Sequence, residues 1–160
     1  MHDFTDLYGL RIKRIRYARR GRFALEVDAV SCSELPGRCV QCGEPLRRHG
    51  RKITTFRDLP QQEGSVAIVV DRARFQCTHC ATTTLQPVDQ MDNRHRMTER
   101  MVEHICFEAL RRPFTAIASL CGINEKTVRR LVRERLPSLA GRAYTTPGRA
   151  GPEGADQDRG

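Results

Sequence analysis

Four of the seven cysteines fall in two pairs, Cys39-Val-Gln-Cys42 and Cys77-Thr-His-Cys80, with 34 residues between them. Two intervening residues let both sulfurs of a pair reach one ion from a tight knuckle, and Gly43 relaxes the turn after the first. Four thiolates at about 2.3 Å complete a tetrahedral Zn²⁺ shell and leave no open position for chemistry. The spacing therefore predicts one structural Zn²⁺ per chain, held by Cys39, Cys42, Cys77 and Cys80. The length between the pairs suits two strands and a turn, a zinc ribbon. An iron–sulfur cluster on the same ligands is the lesser alternative. A redox role is disfavoured because the pairs occur together and lack a βαβ context. His79 lies inside the second knuckle but is expected to point outward, since four sulfurs suffice. His49 reads as a surface or hydrogen-bonded residue, with a ligand or phosphate contact as the alternative. Cys106 and Cys121 sit at apolar helix positions and read as small core residues, whereas Cys32 carries no signal.

A second constellation lies at Ala116-Ile-Ala-Ser-Leu-Cys-Gly-Ile-Asn-Glu-Lys-Thr-Val-Arg-Arg-Leu131. Ala118 is small where a second helix must approach. Gly122 suits a left-handed turn between helices, and Asn124 can cap the helix that follows. Ile117, Cys121, Ile123, Val128 and Leu131 supply a shared apolar core. This is a helix-turn-helix pattern. On the wheel of its second helix, Val128, Leu131 and Val132 cluster on one side. Lys126, Arg130 and Arg133 lie opposite, flanked by Thr127, Arg129 and Glu125. A basic outer face there matches insertion into a DNA major groove, with Lys126, Thr127, Arg129, Arg130 and Arg133 as the candidate contacts.

The elements that must position these groups are also legible. Leu10–Tyr17 and Phe23–Val30, joined across Arg19-Arg-Gly-Arg22, read as a β-hairpin. Ile53–Leu59 and Val66–Val70, running on to Arg74-Phe75, read as two further strands around the turn Pro60–Gly64. After Pro87 the apolar period changes. Thr98 is a plausible N-cap for a helix to about Arg112, where Pro113 breaks it. A short helix follows over 115–120 and a longer one over 124–136. From Gly141 onward, 7 of 20 residues are Gly or Pro, so that tail is expected to be disordered. The expected architecture is α+β: a β-hairpin plus small β-rich zinc-ribbon module over 1–90, a three-helix helix-turn-helix module over 94–136, and a disordered C-terminal tail over 137–160.

Charge points to a polyanionic partner. The 160 residues carry 28 basic and 19 acidic side chains, a net of +9, with an isoelectric point near 9.7. Residues 94–135 hold 10 basic and 5 acidic groups, the most basic stretch of the chain. Tryptophan is absent and aromatics reach only 6%, which leaves little for a large core and favours a metal-supported module over a large solitary enzyme. No run of about 18 apolar residues exists, and Met1–Arg20 does not resemble a signal peptide. With an odd cysteine count, a reducing cytoplasmic setting near the nucleoid is expected, with no membrane partner.

These residues together resemble the N-terminal portion of ISL-three family insertion-sequence transposases. The resemblance rests on Cys39-x-x-Cys42, His49-Gly-Arg51, Phe56-Arg-Asp-Leu-Pro60, Gly64-x-Val66, Arg74-Phe-x-Cys77-x-x-Cys80, Arg96-x-Thr98 and the helix-turn-helix. It covers roughly residues 10–136. It implies a zinc module followed by a helix-turn-helix, both helping to bind the element's terminal inverted repeats. Such transposases continue into a catalytic domain with an RNase H-like fold, whose carboxylates hold divalent metal. The acidic residues here are scattered, so that activity is not carried over and the chain is expected not to be an enzyme.

The expected function is zinc-dependent binding of double-stranded DNA, terminal inverted repeats by resemblance, with a homodimer compatible with such a site. Two alternatives stay open: a transcriptional regulator acting at a promoter, and a zinc-ribbon adaptor working through protein contacts.

Overall fold

A computed structural model describes residues 9–18, 22–62 and 64–143, with side chains to 138. The strands are β1 (Leu10–Tyr17), β2 (Leu25–Ser31), β3 (Leu46–Gln61), β4 (Gly64–Cys77), β5 (Thr83–Leu85), β6 (Met91–Asp92) and β7 (Met97–Thr98). Three helices follow: α1 (Glu99–Glu108), α2 (Phe114–Cys121) and α3 (Glu125–Ala143). The class is α+β.

The sheet is larger than the small ribbon expected, because the strands of the hairpin and of the ribbon are continuous. They merge into one sheet of order β1-β2-β4-β3-β7-β6, with β5 on the side of β4. β1 and β2 pair antiparallel, as do β3 and β4, but β2 joins β4 in parallel register, Val27 opposite Ile68. The reason is burial. Leu25, Val27 and Ala29 of β2 share one face with Phe56 of β3 and Val66, Ile68 and Val70 of β4, and the returning chain covers that face with Val88 and Met91. Neither hairpin could bury such a face alone.

β3 and β4 also run further than the apolar signal suggests, β3 from Leu46 to Gln61 and β4 from Gly64 to Cys77 beside the metal knuckles. Their outer halves are polar, so hydropathy alone stops short of them. Backbone pairing from Leu46 opposite Cys77 to Asp58 opposite Val66 continues regardless, across a bulge between Arg48 and Arg51. At about 3.3 Å per residue, the knuckle end and the Asp58 end of β3 lie roughly 40 Å apart.

The helices enclose a second core of Met97, Met101, Val102, Ile105, Ile117, Ala118, Cys121, Val128 and Leu131, which reaches Leu59 of β3. Thr98 caps α1, accepting from the Met101 N–H. α2 ends at Gly122, φ 61°, in the left-handed region. There the Ile123 N–H bonds the Ala118 carbonyl and the Gly122 N–H bonds that of Ser119, the paired closure of a Schellman turn. Asn124 caps α3 through the Lys126 N–H. α3 continues through Pro137 to Ala143, past the expected end at Leu136. Residues 144–160, the rest of the expected tail, lie outside the described residues, as do Arg19 and Arg20.

Candidate metal centre and nucleic-acid interface

The two knuckles are built alike. The Cys39 N–H bonds the Glu44 carbonyl, and the Cys77 N–H bonds that of Thr82, so each pair curls back over five residues. Gly43, after the first pair, sits at φ 76°, and Ala81, after the second, at φ 58°. The β3–β4 ladder brings the curls together, because Leu46 and Cys77 are register partners. Cys39 Sγ lies 3.6 Å from Cys80 Sγ, and Cys42 Sγ lies 3.4 Å from Cys77 Sγ and 3.6 Å from Cys80 Sγ. A regular tetrahedron of sulfurs 2.3 Å from zinc has edges of about 3.8 Å. The four sulfurs, all within 4.8 Å of one another, therefore fit one structural Zn²⁺ with its shell complete.

Their ionisation shows the same crowding. Against the pull of the Glu44 backbone N–H, contacts with Cys77, desolvation, and contacts with Cys80 and Cys39 push the Cys42 thiol up to about 12. The Thr82 hydroxyl and N–H draw Cys80 down to about 6. A dication among the sulfurs removes this conflict by ionising them together. The His79 backbone N–H points at Cys77 Sγ, 3.4 Å away, while the residue is exposed and outside the ligand group. His49 is also exposed. Cys106 is buried on α1 and Cys121 in the helical core, and desolvation pushes both thiols up, whereas Cys32 is exposed.

At the other end of β3, Val128 and Leu131 are fully buried while Lys126, Arg130 and Arg133 are exposed on the opposite side of α3. No acidic residue pairs with these three among the described residues. Thr127 is half-buried beside them. Arg129 is less free than its wheel position suggests. It pairs with Glu125 and stands over the Phe114 ring, 5.8 Å from its centroid.

What holds this helix pair to the sheet was not legible as such. Asp58 of β3 is buried and accepts from the Thr98 hydroxyl at 2.7 Å and from Arg100 Nε at 2.8 Å. It thus grips the cap of α1. Its neighbour Arg57 donates from Nη1 to the Gly122 carbonyl at 2.7 Å, tying β3 to the helix-turn-helix turn itself. Arg135 of α3 pairs with Glu99 of α1. His95 bonds Asp92 through Nδ1 at 2.9 Å and faces Glu134 of α3 through Nε2 at 3.3 Å. The signal was present in Phe56-Arg-Asp-Leu-Pro60 and Arg96-x-Thr98, but residue types alone do not show that these segments meet.

A tetrathiolate ribbon built into the same sheet that carries a capped helix-turn-helix defines a zinc-stabilised DNA-binding module. Two family models match the chain: the zinc-finger of transposase IS204/IS1001/IS1096/IS1165 over residues 35–80, and the helix-turn-helix domain of transposase family ISL3 over 86–136. The two matches support an N-terminal region of ISL3-family transposases. No curated protein and no solved structure matches it. Among the described residues, no helix is long and apolar enough to cross a membrane.

Proposed function

We propose that this chain binds the terminal inverted repeats of its element as double-stranded DNA, with α3 lying in the major groove and the zinc ribbon bracing the sheet that carries it. The observation that carries the reading is the row Lys126, Arg130 and Arg133, exposed and, among the described residues, without acidic partners on the helix that leaves a capped helix-turn-helix turn. In that docking the first turns of the second helix face base edges. A guanidinium there can bond a guanine edge in bidentate fashion, and its neighbours can hold flanking phosphates. Thr127 is placed for a shorter contact. Arg129, held by Glu125, serves as a reserve cation that must first leave its partner. The role we infer is binding rather than strand cleavage: a basic helix-turn-helix face suits a duplex, and a four-sulfur zinc shell offers no open coordination site.

The deciding experiment is selection of bound duplexes from a random pool, followed by titration of the winners and of the terminal repeats at several salt concentrations. Enrichment of a motif found in the terminal repeats, with binding that weakens steeply as salt rises, is the expected result. Enrichment of a promoter sequence instead assigns the chain to regulation. Binding that ignores salt, or none, leaves the adaptor role.

A further inference from the structure

A small cleft opens beside the helix-turn-helix, and α3 does not line it. Its walls are Arg22, Phe23, Thr55, Arg57, His95 and Arg96, contributed by the end of the first hairpin, by β3 and by the turn before β7. Three arginines line it, and among the described residues no carboxylate does. Among the described residues none of the three forms an ion pair, whereas Arg16, Arg51, Arg94, Arg100, Arg112, Arg129 and Arg135 all do.

The cleft is held in shape. Phe23 lies between two of the cations, its ring centroid 5.2 Å from the Arg57 guanidinium and 5.7 Å from that of Arg22. Arg57 is fixed at its far end by the Gly122 carbonyl. The Arg57 backbone N–H bonds the Arg96 carbonyl at 2.8 Å, and Arg96 itself takes the left-handed conformation, φ 58°. A non-glycine residue in that region is strained and persists only where its surroundings impose it. Burial, reinforced by repulsion from Arg22, lowers the Arg57 pKa. Crowded like charges of this kind are relieved by an anion, and the forked guanidinium matches a phosphate.

The position selects the anion. Arg57 touches Gly122, three residues before α3 begins, which is the end of a recognition helix that approaches the groove. The sugar-phosphate backbone borders that groove. We propose that Arg22, Arg57 and Arg96 form a clamp for one backbone phosphate of the DNA that α3 reads, so that the sheet and the helix grip the duplex jointly. The inference rests on the DNA-binding reading above.

The test uses the full, zinc-loaded chain and duplexes recovered by selection, with affinity followed by fluorescence anisotropy over a salt series. Arg22→Gln and Arg96→Gln are the informative variants, because Arg57 also holds the helix turn. Arg96→Gly removes the same charge while relieving the backbone, which covers a folding failure of Arg96→Gln. Each variant should weaken cognate and scrambled duplexes by the same factor and flatten the log–log salt slope by about one unit, with zinc content unchanged and no fall in melting temperature. If Arg130→Ala and Arg133→Ala weaken binding while the cleft variants leave affinity and slope intact, the clamp is wrong and the DNA reading stands. If the parent shows no salt-dependent duplex binding, both fall. A parallel titration with inorganic phosphate, followed by NMR of the arginine Nε–Hε resonances, separates the sources. Saturable millimolar or tighter binding with an unchanged duplex slope would assign the cleft to a free phosphate ligand and overturn the proposal.

Discussion

Asp58→Ala is the perturbation that most directly probes how the sheet positions the helices. The Asp58 carboxylate is wholly buried and receives the Thr98 hydroxyl and two donors of Arg100, itself only about one-fifth exposed. Removing it takes the buried carboxylate away from a largely desolvated guanidinium, and breaking a buried pair from one side costs up to roughly 3–5 kcal/mol. The Thr98 hydroxyl loses its acceptor as well, adding about 1 kcal/mol. A domain of this size has only about 5–15 kcal/mol in total, so the variant should sit near the edge of folding. Asp58→Asn keeps the shape and one acceptor and should lose about half as much. Urea unfolding of the zinc-loaded proteins measures both, and a double-mutant cycle with Arg100→Ala isolates the pair. A coupling energy above about 2 kcal/mol is expected. A loss below about 1 kcal/mol for Asp58→Ala, or no coupling, would refute the claim that this carboxylate anchors α1.

Four further outcomes are expected. Elemental analysis of protein purified without chelator should give one zinc per chain, and Ser at any of Cys39, Cys42, Cys77 or Cys80 should abolish stoichiometric binding and unfold the ribbon, as read by circular dichroism. Arg130→Ala should cost roughly 1–3 kcal/mol in DNA binding and relax preference at one base pair if it meets a base edge, whereas a phosphate-holding Arg133 would flatten the salt slope by about one unit on removal. Gly122→Ala should destabilise by about 1–2 kcal/mol in thermal unfolding. An added Cβ meets only Arg57 Nη1, at 3.9 Å, so the cost is the left-handed backbone rather than a clash. Burial opposes ionisation of Asp92, but the His95 ring, the His95 N–H and the Arg94 N–H outweigh it and hold the carboxyl below its usual range. Its folded pKa being depressed, its contribution is present at neutral pH and fades as pH falls below about 4. Asp92→Asn should therefore shrink that part of the acid limb in a stability–pH profile.

The sequence by itself determined the local chemistry. Cys39, Cys42, Cys77 and Cys80 announce a metal because two residues between sulfurs have few other uses. Gly122, Asn124 and the wheel of α3 announce a helix-turn-helix because capping and helical periodicity are short-range properties. Thr98 as a cap was legible for the same reason. Tertiary structure alone decided how these pieces join. The parallel pairing of β2 with β4, the extension of β3 and β4 through polar residues to the knuckles, and the roughly 40 Å between the knuckle end and the Asp58 end of β3 follow from burial of a face that neither hairpin can cover alone. The partners of Arg57 and Asp58 also lay beyond sequence reach. A charged residue in a strand looks solvated until the chain some 40 residues later returns to bring Thr98 and Arg100 against it. Local propensity extends over a few residues, and these contacts exist only once two separate cores have packed on one strand.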